Sequence, residues 1–302
     1  MIKSVTITVL DTLESVTLEL GNPDSSGFQV LGIDGLGPSK ATINITEIPT
    51  LDGGNVNSTR VVSRNILFRL QLMEKPTIQA MRRLSYRYFP NKAQISILID
   101  TEDRLLQTYG HVEDNDVNIF GADPEKANIS VICANPYFFS PEMTTNLFSG
   151  IDPAFTFPFS NDSLVSKLLV FGNIVTNTKK NIYYDGDAEV GIKLIAHAIG
   201  PVTDPTFYAS RSNQLMKILS SKLSLMGLSI IAGDDIIINS IRGQKSVTHV
   251  RAGVSTSILN ALDENIGWPT LKYGDNPYEY SAASGITNLQ LTVENQTLYS
   301  GV

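Results

Sequence analysis

Ser63-Arg64-Asn65-Ile66-Leu67-Phe68-Arg69-Leu70-Gln71-Leu72 is the stretch whose reading decides the fold. Ile66, Phe68, Leu70 and Leu72 share one face, while Leu67, Arg69 and Gln71 share the other. A period of two is the signature of a strand with one side packed on a core and one side facing water. The same alternation appears before it, in Val5, Ile7 and Val9, in Val16, Leu18 and Leu20, and in Ala41, Ile43 and Ile45. After it, Pro76 is expected to open a helix, because proline is favoured in a first turn. Ile78, Met81, Leu84 and Tyr88 then fall near helical spacing, and Pro90 marks the stop. Core packing is the plainest account of that stripe. Further strands are expected at Gln94–Ile99, Arg104–Val112 and Asn128–Cys133, which makes the front module β-rich with one helix.

Turn residues divide these runs. Gly32-Ile33-Asp34-Gly35-Leu36-Gly37-Pro38 forces a change of direction, and the polar segment 48–61, with Asp52-Gly53-Gly54, reads as an exposed loop or hairpin tip of the kind that reaches a neighbour. Asn135-Pro136-Tyr137-Phe138 and Ser140-Pro141 end the pattern. We therefore expect a module over residues 1–140, a linker over 141–160 and a second module over 161–302. In the second module short strands are expected at Leu168–Val175, Glu189–Ala198, Pro205–Ala209, Leu228–Ile231, Ile236–Asn239, Lys245–Val250, Thr270–Tyr273, Tyr278–Ala282 and Leu289–Val293, with only Ile258–Leu262 briefly helical. Many short strands separated by turns indicate an antiparallel sandwich.

Charge sets further bounds. The formal net charge of −7 argues against a dedicated nucleic-acid binder, which needs clustered positive charge to displace counterions from phosphates. The distribution is uneven. Arg60, Arg64, Arg69, Lys75, Arg82, Arg83 and Arg87 face one acid, Glu74, within 60–87, whereas Asp100, Glu102, Asp103, Glu113, Asp114, Asp116, Asp123 and Glu125 face only Arg104 within 100–125. The opening residues lack a signal-peptide pattern and no run is long enough to span a membrane, so we expect synthesis in a cytoplasm and no membrane insertion.

Candidate chemistry is sparse. Cys133 lies in Ile129-Ser130-Val131-Ile132-Cys133, which suggests a buried strand residue rather than a nucleophile. His111, His197 and His249 are far apart and show no zinc spacing. Gly32 to Gly37 matches neither the phosphate loop nor the dinucleotide fingerprint. Asp114-Asn115-Asp116-Val117-Asn118 resembles half a calcium loop, but Ile119 stands where the turn needs glycine. Asp185-Gly186-Asp187-Ala188-Glu189 could gather carboxylates and also reads as a turn, and no pair of acids earns a catalytic role. Trp268 with Tyr273 could form a stacking platform for a sugar, against the plainer account of Trp268 as a core anchor. We expect no catalytic residue, no metal and no cofactor.

Read in order, several of these motifs carry a resemblance. Gly32 to Pro38, Asp52-Gly53-Gly54, Arg60 with Arg64-Asn65-Ile66, Leu84 to Pro90 and Asn135-Pro136-Tyr137-Phe138 resemble the amino-terminal module of siphophage distal tail proteins. Gly186 to Ile199 with Gly200-Pro201-Val202-Thr203, Ile236 to Asn239, Gly274-Asp275-Asn276-Pro277, Leu289 and Leu298-Tyr299-Ser300-Gly301-Val302 are similar to the carboxy-terminal one. The resemblance implies a mainly β protein with an N-terminal split β-barrel and a C-terminal galectin-like β-sandwich. It further implies a structural, non-enzymatic baseplate hub of a phage or phage-like tail tip. Such a protein would form a homo-hexamer and meet the major tail tube protein, a tail-associated hub or tail fibre protein, adsorption (receptor-binding) proteins and the tape measure protein, with DNA only in passage. A carbohydrate-binding tail module that contacts the host wall is the alternative. In a ring, opposite charge blocks can pair between neighbours, so Arg60, Arg64, Arg69, Arg82, Arg83 and Arg87 are expected to face Asp100, Asp103, Asp114 and Asp116 of the next copy. Neutralisation within one subunit is the competing expectation.

Overall fold

The computed structural model describes residues 1–47, 52–120, 125–153 and 172–302. In it, the alternating stretch is a strand whose inward positions are Arg64, Ile66, Phe68, Leu70 and Leu72, and the four apolar ones are fully buried. The chain divides into two units, Met1–Pro141 with Leu298–Val302, and Glu142–Thr297. The closing five residues thus sit with the first unit rather than the second, for a reason given below.

The first unit is built from β1 (Ile2–Val9), β2 (Ser15–Glu19), β3 (Phe28–Asp34), β4 (Ala41–Glu47), β5 (Gly54–Val61), β6 (Arg64–Leu72), α1 (Ile78–Tyr88), β7 (Gln94–Thr101), β8 (Leu105–Val117), β9 (Lys126–Cys133) and β10 (Phe138–Phe139). One antiparallel sheet runs in the order β2-β1-β7-β8-β9-β6-β3, with β10 attached at β8. Its inner face joins Val5, Ile7, Leu18, Phe68, Ile97 and Val131 into one core. Helix α1 closes over that core with Met81, and rings interlock there: Phe28 meets Tyr88 edge-on with centroids 6.4 Å apart, and Phe68 lies 6.0 Å from Phe89. The helix begins one step later than its proline suggests. Thr77 is the cap, its hydroxyl accepting from the Ala80 N–H at 3.2 Å, and Pro76 precedes it. Strand β3 also continues to Asp34 across an irregularity at Val30/Gly32, and the turn starts at Gly35. Gly35 has φ +82°, and a Cβ there would overlap the Asn65 carbonyl oxygen, so the position requires glycine twice over.

The second unit holds β11 (Thr144–Leu147), β12 (Ser149–Pro153), β13 (Gly172–Thr176), β14 (Lys179–Tyr184), β15 (Val190–Gly191), β16 (Lys193–Ala198), β17 (Thr206–Ala209), β18 (Gln214–Lys217), α2 (Ser220–Leu225), β19 (Asp234–Asn239), β20 (Ser246–Arg251), β21 (Val254–Ser257), β22 (Thr270–Leu271), β23 (Gly274–Ser281) and β24 (Leu289–Asn295). A six-stranded sheet runs β11-β24-β16-β19-β20-β21 and a four-stranded sheet β14-β23-β17-β18. Both are antiparallel and both alternate buried with exposed residues. Their apolar faces meet: Tyr280 of the smaller sheet packs edge-on against Phe148 and donates its hydroxyl to the Leu289 carbonyl at 3.2 Å. This is a sandwich.

Several expected elements differ. Thr144–Leu147, expected in a linker, is the edge strand β11, paired with β24. Leu228–Ile231 forms no strand and contributes only a bridge between Ile230 and Val202. Leu168 to Phe171 lie outside the described residues, while Gly172–Thr176 pair with Ser149–Pro153. Strand β14 and helix α2 were not anticipated, and Ile258–Leu262 holds a single 3-10 turn, Leu259–Ala261. The architecture is nonetheless mainly β, with antiparallel sheets throughout.

Candidate functional surfaces

The expected arm is real, and its two faces differ. Among the described residues, strands β4 and β5 pair only with each other. Ile43 stands opposite Thr59, Ile45 opposite Val56 and Ala41 opposite Val61, so these side chains share one face of the ribbon. Thr42, Asn44 and Thr46 share the other with Arg60, Ser58 and Asn55. The polar face is tied by Asn44 Nδ2 donating to Ser58 Oγ at 2.8 Å. Among the described residues the apolar face is left open: Ile43 is 55%, Ile45 58%, Val56 59% and Val61 41% exposed. An amphipathic ribbon outside its own core is a surface made for contact.

The two charge blocks are partly spent within the chain. Arg82 grips Glu125 with two contacts, Nε–Oε2 at 3.1 Å and Nη2–Oε1, and this is a block-to-block pair inside one subunit. Arg87 finds Glu14, outside the acidic block, with Nε–Oε2 at 2.6 Å, and Arg69 finds Asp34 at 2.7 Å. The Glu14 carboxyl is held below its ordinary range, first by the hydrogen bond from Arg87. Arg60 and Arg83 are exposed. Among the described residues neither forms an ion pair, and neither do Asp100, Asp103, Asp114 or Asp116. Asp123 lies outside the described residues.

Arg64 departs from the interface role altogether. It is 3% exposed. Its guanidinium donates to the carbonyls of Gly35 at 2.5 Å, Gly37 at 2.6 Å, Pro136 at 2.9 and 2.7 Å, and Ser300 at 2.6 Å, and it stacks 4.2 Å over the Phe138 ring. Burial works against its charge, and the carbonyl dipoles compensate. It therefore fastens the glycine turn, the Asn135-Pro136 corner and the chain's closing segment to one point. The closing strand β25 (Leu298–Tyr299) pairs with β10, which is why residues 298–302 belong to the first unit. Beside Arg64, Cys133 is fully buried, and burial pushes its thiol up, the opposite of nucleophile activation.

The half calcium loop is not a loop. Asp114, Asn115 and Asp116 lie in β8, and Asn115 turns toward α1, donating to the carbonyls of Ser85 and Phe89 at 3.1 Å each. Of the histidines, His111 is exposed on β8, His197 Nδ1 lies 2.6 Å from Asp235, and His249 is buried with Nε2 3.0 Å from Asp234 Oδ2 but outside hydrogen-bond geometry. No group of three or more metal-ligating side chains occurs among the described residues. Asp234 is fully buried and held by both arms of Arg251, at 2.7 and 2.8 Å, and by the Ile231 N–H at 2.8 Å. Asp185 to Glu189 form the turn into β15, where Glu189 accepts from Thr270 at 2.6 Å.

The two aromatics singled out in the sequence have different neighbours. Trp268 is half-buried, and its ring is capped by Lys245 Nζ at 5.3 Å from the centroid. Tyr273 and Tyr183 are each 64% exposed. The neighbouring Tyr273, then the carboxylates of Asp185 and Asp275, push the Tyr183 phenol up. Tyr183 lies on β14, a strand the sequence did not announce.

No helix among the described residues is long and apolar enough to cross a membrane. No protein-family model matches the chain, and no curated protein sequence matches it. Among solved structures it is similar to the Dit protein of phage SPP1, described as a paradigm of the hub adsorption apparatus in phages that infect Gram-positive hosts. The TM-score is 0.64 at 14% identity, over 97% of this chain and 98% of that one. It also aligns with chains of the phage P2 baseplate in its activated conformation, with calcium (TM-score 0.47, 12% identity, 98% of each chain) and with strontium (0.46, 11%, 97% of each). The fold is similar to that of SPP1 Dit.

Proposed function

We propose that the chain is a structural, non-enzymatic hub of a phage-type tail tip, and that its first unit closes a homo-hexameric ring around the channel. The fold likeness supports the setting, and the β4–β5 arm carries the reading. A ring uses one face of a subunit against a different face of the next. The arm supplies the first, with Ile43, Ile45, Val56 and Val61 uncovered. Burying them against a neighbour contributes roughly 1 kcal/mol per half-exposed side chain, enough over several contacts to outweigh the charge pairs. Arg60 and Arg83 on one side, and Asp100, Asp103, Asp114 and Asp116 on the other, set register and steer encounter.

Within such a particle the ring joins the major tail tube protein to a tail-associated hub or tail fibre protein. It holds adsorption proteins and surrounds the tape measure protein, with DNA only in passage. Six copies at −7 each carry −42, and an acidic or neutral lumen lets DNA slide without adhering. Assembly takes place in the host cytoplasm, and the chain ends at the virion tail tip.

The test is mass. Purified chain, alone and with its tube partner, is measured by light scattering and imaged in negative stain. Six-copy particles and rings are expected. Ile43→Asp with Val56→Asp should give folded monomers. A chain that remains monomeric with its partners present, or a double variant that still closes rings, overturns the proposal.

A further inference from the structure

The two sheets of the sandwich end on the strands β11, β21, β14 and β18, and these edges are not treated alike. Strand β14 carries Lys179 and Lys180, and β18 ends on Lys217. At β11 the Leu147 carbonyl accepts from Lys180 Nζ at 2.7 Å. Lysines on an edge keep it from taking up another chain. Strand β21, Val254-Ser255-Thr256-Ser257, has no charge, no proline and no irregularity in its register with β20. Ala252 and Gly253 have φ of +50° and +80°, so the hairpin turns within two residues and Arg251 with Val254 closes it as a hydrogen-bonded pair. Bonded and non-bonded pairs alternate from there, and the Ile258 N–H, which donates to the Val247 carbonyl at 2.9 Å, keeps the same parity. Val254 and Thr256 therefore turn their main-chain groups toward β20, while Ser255 and Ser257 turn theirs away. Both serines are exposed, and no other strand among the described residues pairs with β21. Their N–H groups and carbonyls stand open in one row.

Charge selects the occupant. From Ile236 to Leu262 the sequence holds no acid, whereas Arg242, Lys245 and Arg251 fall within it, in a chain of net charge −7. Arg251 is committed to Asp234. Arg242 and Lys245 are exposed, and neither forms an ion pair among the described residues. Asn239 stands opposite Ser246 and Thr248 opposite Ser257, so the turn that bears both cations lies beyond the Ser257 end of the edge. We infer that β21 takes up an extended acidic segment of another polypeptide as a further strand of the six-stranded sheet, antiparallel to β21 and with its acids at the N-terminal end. Antiparallel entry continues the pattern of the sheet and brings that end to Arg242 and Lys245. The open groups of Ser255 and Ser257 hold the main chain, and the cations set direction and choose the partner. A helix cannot use such an edge, because its own N–H and C=O groups are bonded internally. The inference goes beyond the ring reading and does not rest on it, since β21 belongs to the second unit and the arm to the first.

The probe is the peptide Asp-Glu-Thr-Val-Thr-Val-Thr, labelled for fluorescence anisotropy and titrated with the full chain at low salt. It should bind, and amide hydrogen exchange at Ser255 and Ser257 should slow when it does. Methylating the peptide's backbone nitrogens removes its donors and should abolish binding. Replacing its acids by lysines should weaken binding roughly tenfold or more, and Arg242→Glu should weaken the acidic peptide in the same way. Ser255→Pro removes an N–H that no internal pair uses, so the variant should keep its melting midpoint and lose the peptide. If that variant fails to fold, the methylated peptide on the wild type still decides. A wild type that ignores the peptide, or binds the methylated or lysine form equally well, overturns the inference. So do dimers of the chain alone that vanish in Ser255→Pro, which would assign the edge to a second copy.

Discussion

The guanidinium of Arg64 donates to the carbonyl of Ser300 at 2.6 Å, joining positions 236 apart in the chain. The same group holds Gly35, Gly37 and Pro136, and among the described residues no carboxylate pairs with it. Removing it takes away the donors that Arg64 supplies to these part-buried carbonyls. Arg64→Ala should therefore cost the first unit roughly 3 kcal/mol or more, and Arg64→Lys, a point charge without the fork, should recover only part of that. Chemical denaturation with limited proteolysis checks both. The closing segment should become the earliest site of cleavage, and an unchanged transition would remove Arg64 from this role.

Asn115 supports the end of helix α1 from a strand. It donates to the Ser85 and Phe89 carbonyls and accepts from the Ser85 hydroxyl at 3.2 Å. Asn115→Ala strips the last turn of these partners and should cost about 1 to 3 kcal/mol. The loss should be the same with and without added calcium. A stabilisation by calcium that disappears in the variant would restore the ion-loop reading of Asp114 to Asn118.

The alternation that located β6 also placed Arg64, which has the parity of Ile66, Phe68, Leu70 and Leu72 and so faces inward with them. Counting it in a charge block hid this, because a block describes composition and a strand sorts its residues by parity. Strand β14 was illegible for another reason. In Lys179-Lys180-Asn181-Ile182-Tyr183-Tyr184 only Ile182 and Tyr184 are buried, too little alternation to separate a strand from a polar loop. Its existence depends on pairing with β23, nearly a hundred residues on. Helix α2 spans six residues and buries only Leu223, which is below the length at which a helical period can be read. The arm was readable because its glycines mark a turn and its neighbours alternate. What lay across from it in register, and hence its amphipathic character, needed the pairing itself.

Neighbouring arginines on α1 should separate folding from assembly. Arg82 is committed to Glu125 within the chain, while Arg83 is exposed and unpaired among the described residues. Arg82→Glu sets two acids together and should lower the melting midpoint of the monomer. Arg83→Glu should leave melting unchanged and raise the concentration needed for ring assembly several-fold at low salt. That difference should fade near 1 M salt, where screening acts over roughly 3 Å. Light scattering at two salt concentrations decides it, and an Arg83→Glu chain that assembles like the wild type at low salt would take the charge blocks out of the interface.

Acid should unfold the second unit through Asp234. Burial alone would raise this carboxyl, but the hydrogen bonds from Arg251 and then from the Ile231 N–H, with the His249 ring 3.0 Å away, outweigh it and hold the group well below the usual carboxylate range. A carboxyl whose folded value is depressed contributes stability that is fully present above its unfolded value of about 4 and is lost as the pH falls below it. Melting of the second unit should therefore be flat in this respect near neutrality and fall steeply below about pH 4. Asp234→Asn keeps the shape but gives up the charge, and the Arg251 fork loses its counter-charge. The variant should melt roughly 5 °C lower at pH 7, and its acid limb should be shallower because there is no longer a depressed carboxyl to protonate. Calorimetry between pH 2 and pH 7, with the two transitions resolved, reads both effects. If the variant and the wild type lose stability in parallel below pH 4, the acid sensitivity belongs to other carboxylates and Asp234 serves only as a hydrogen-bond acceptor.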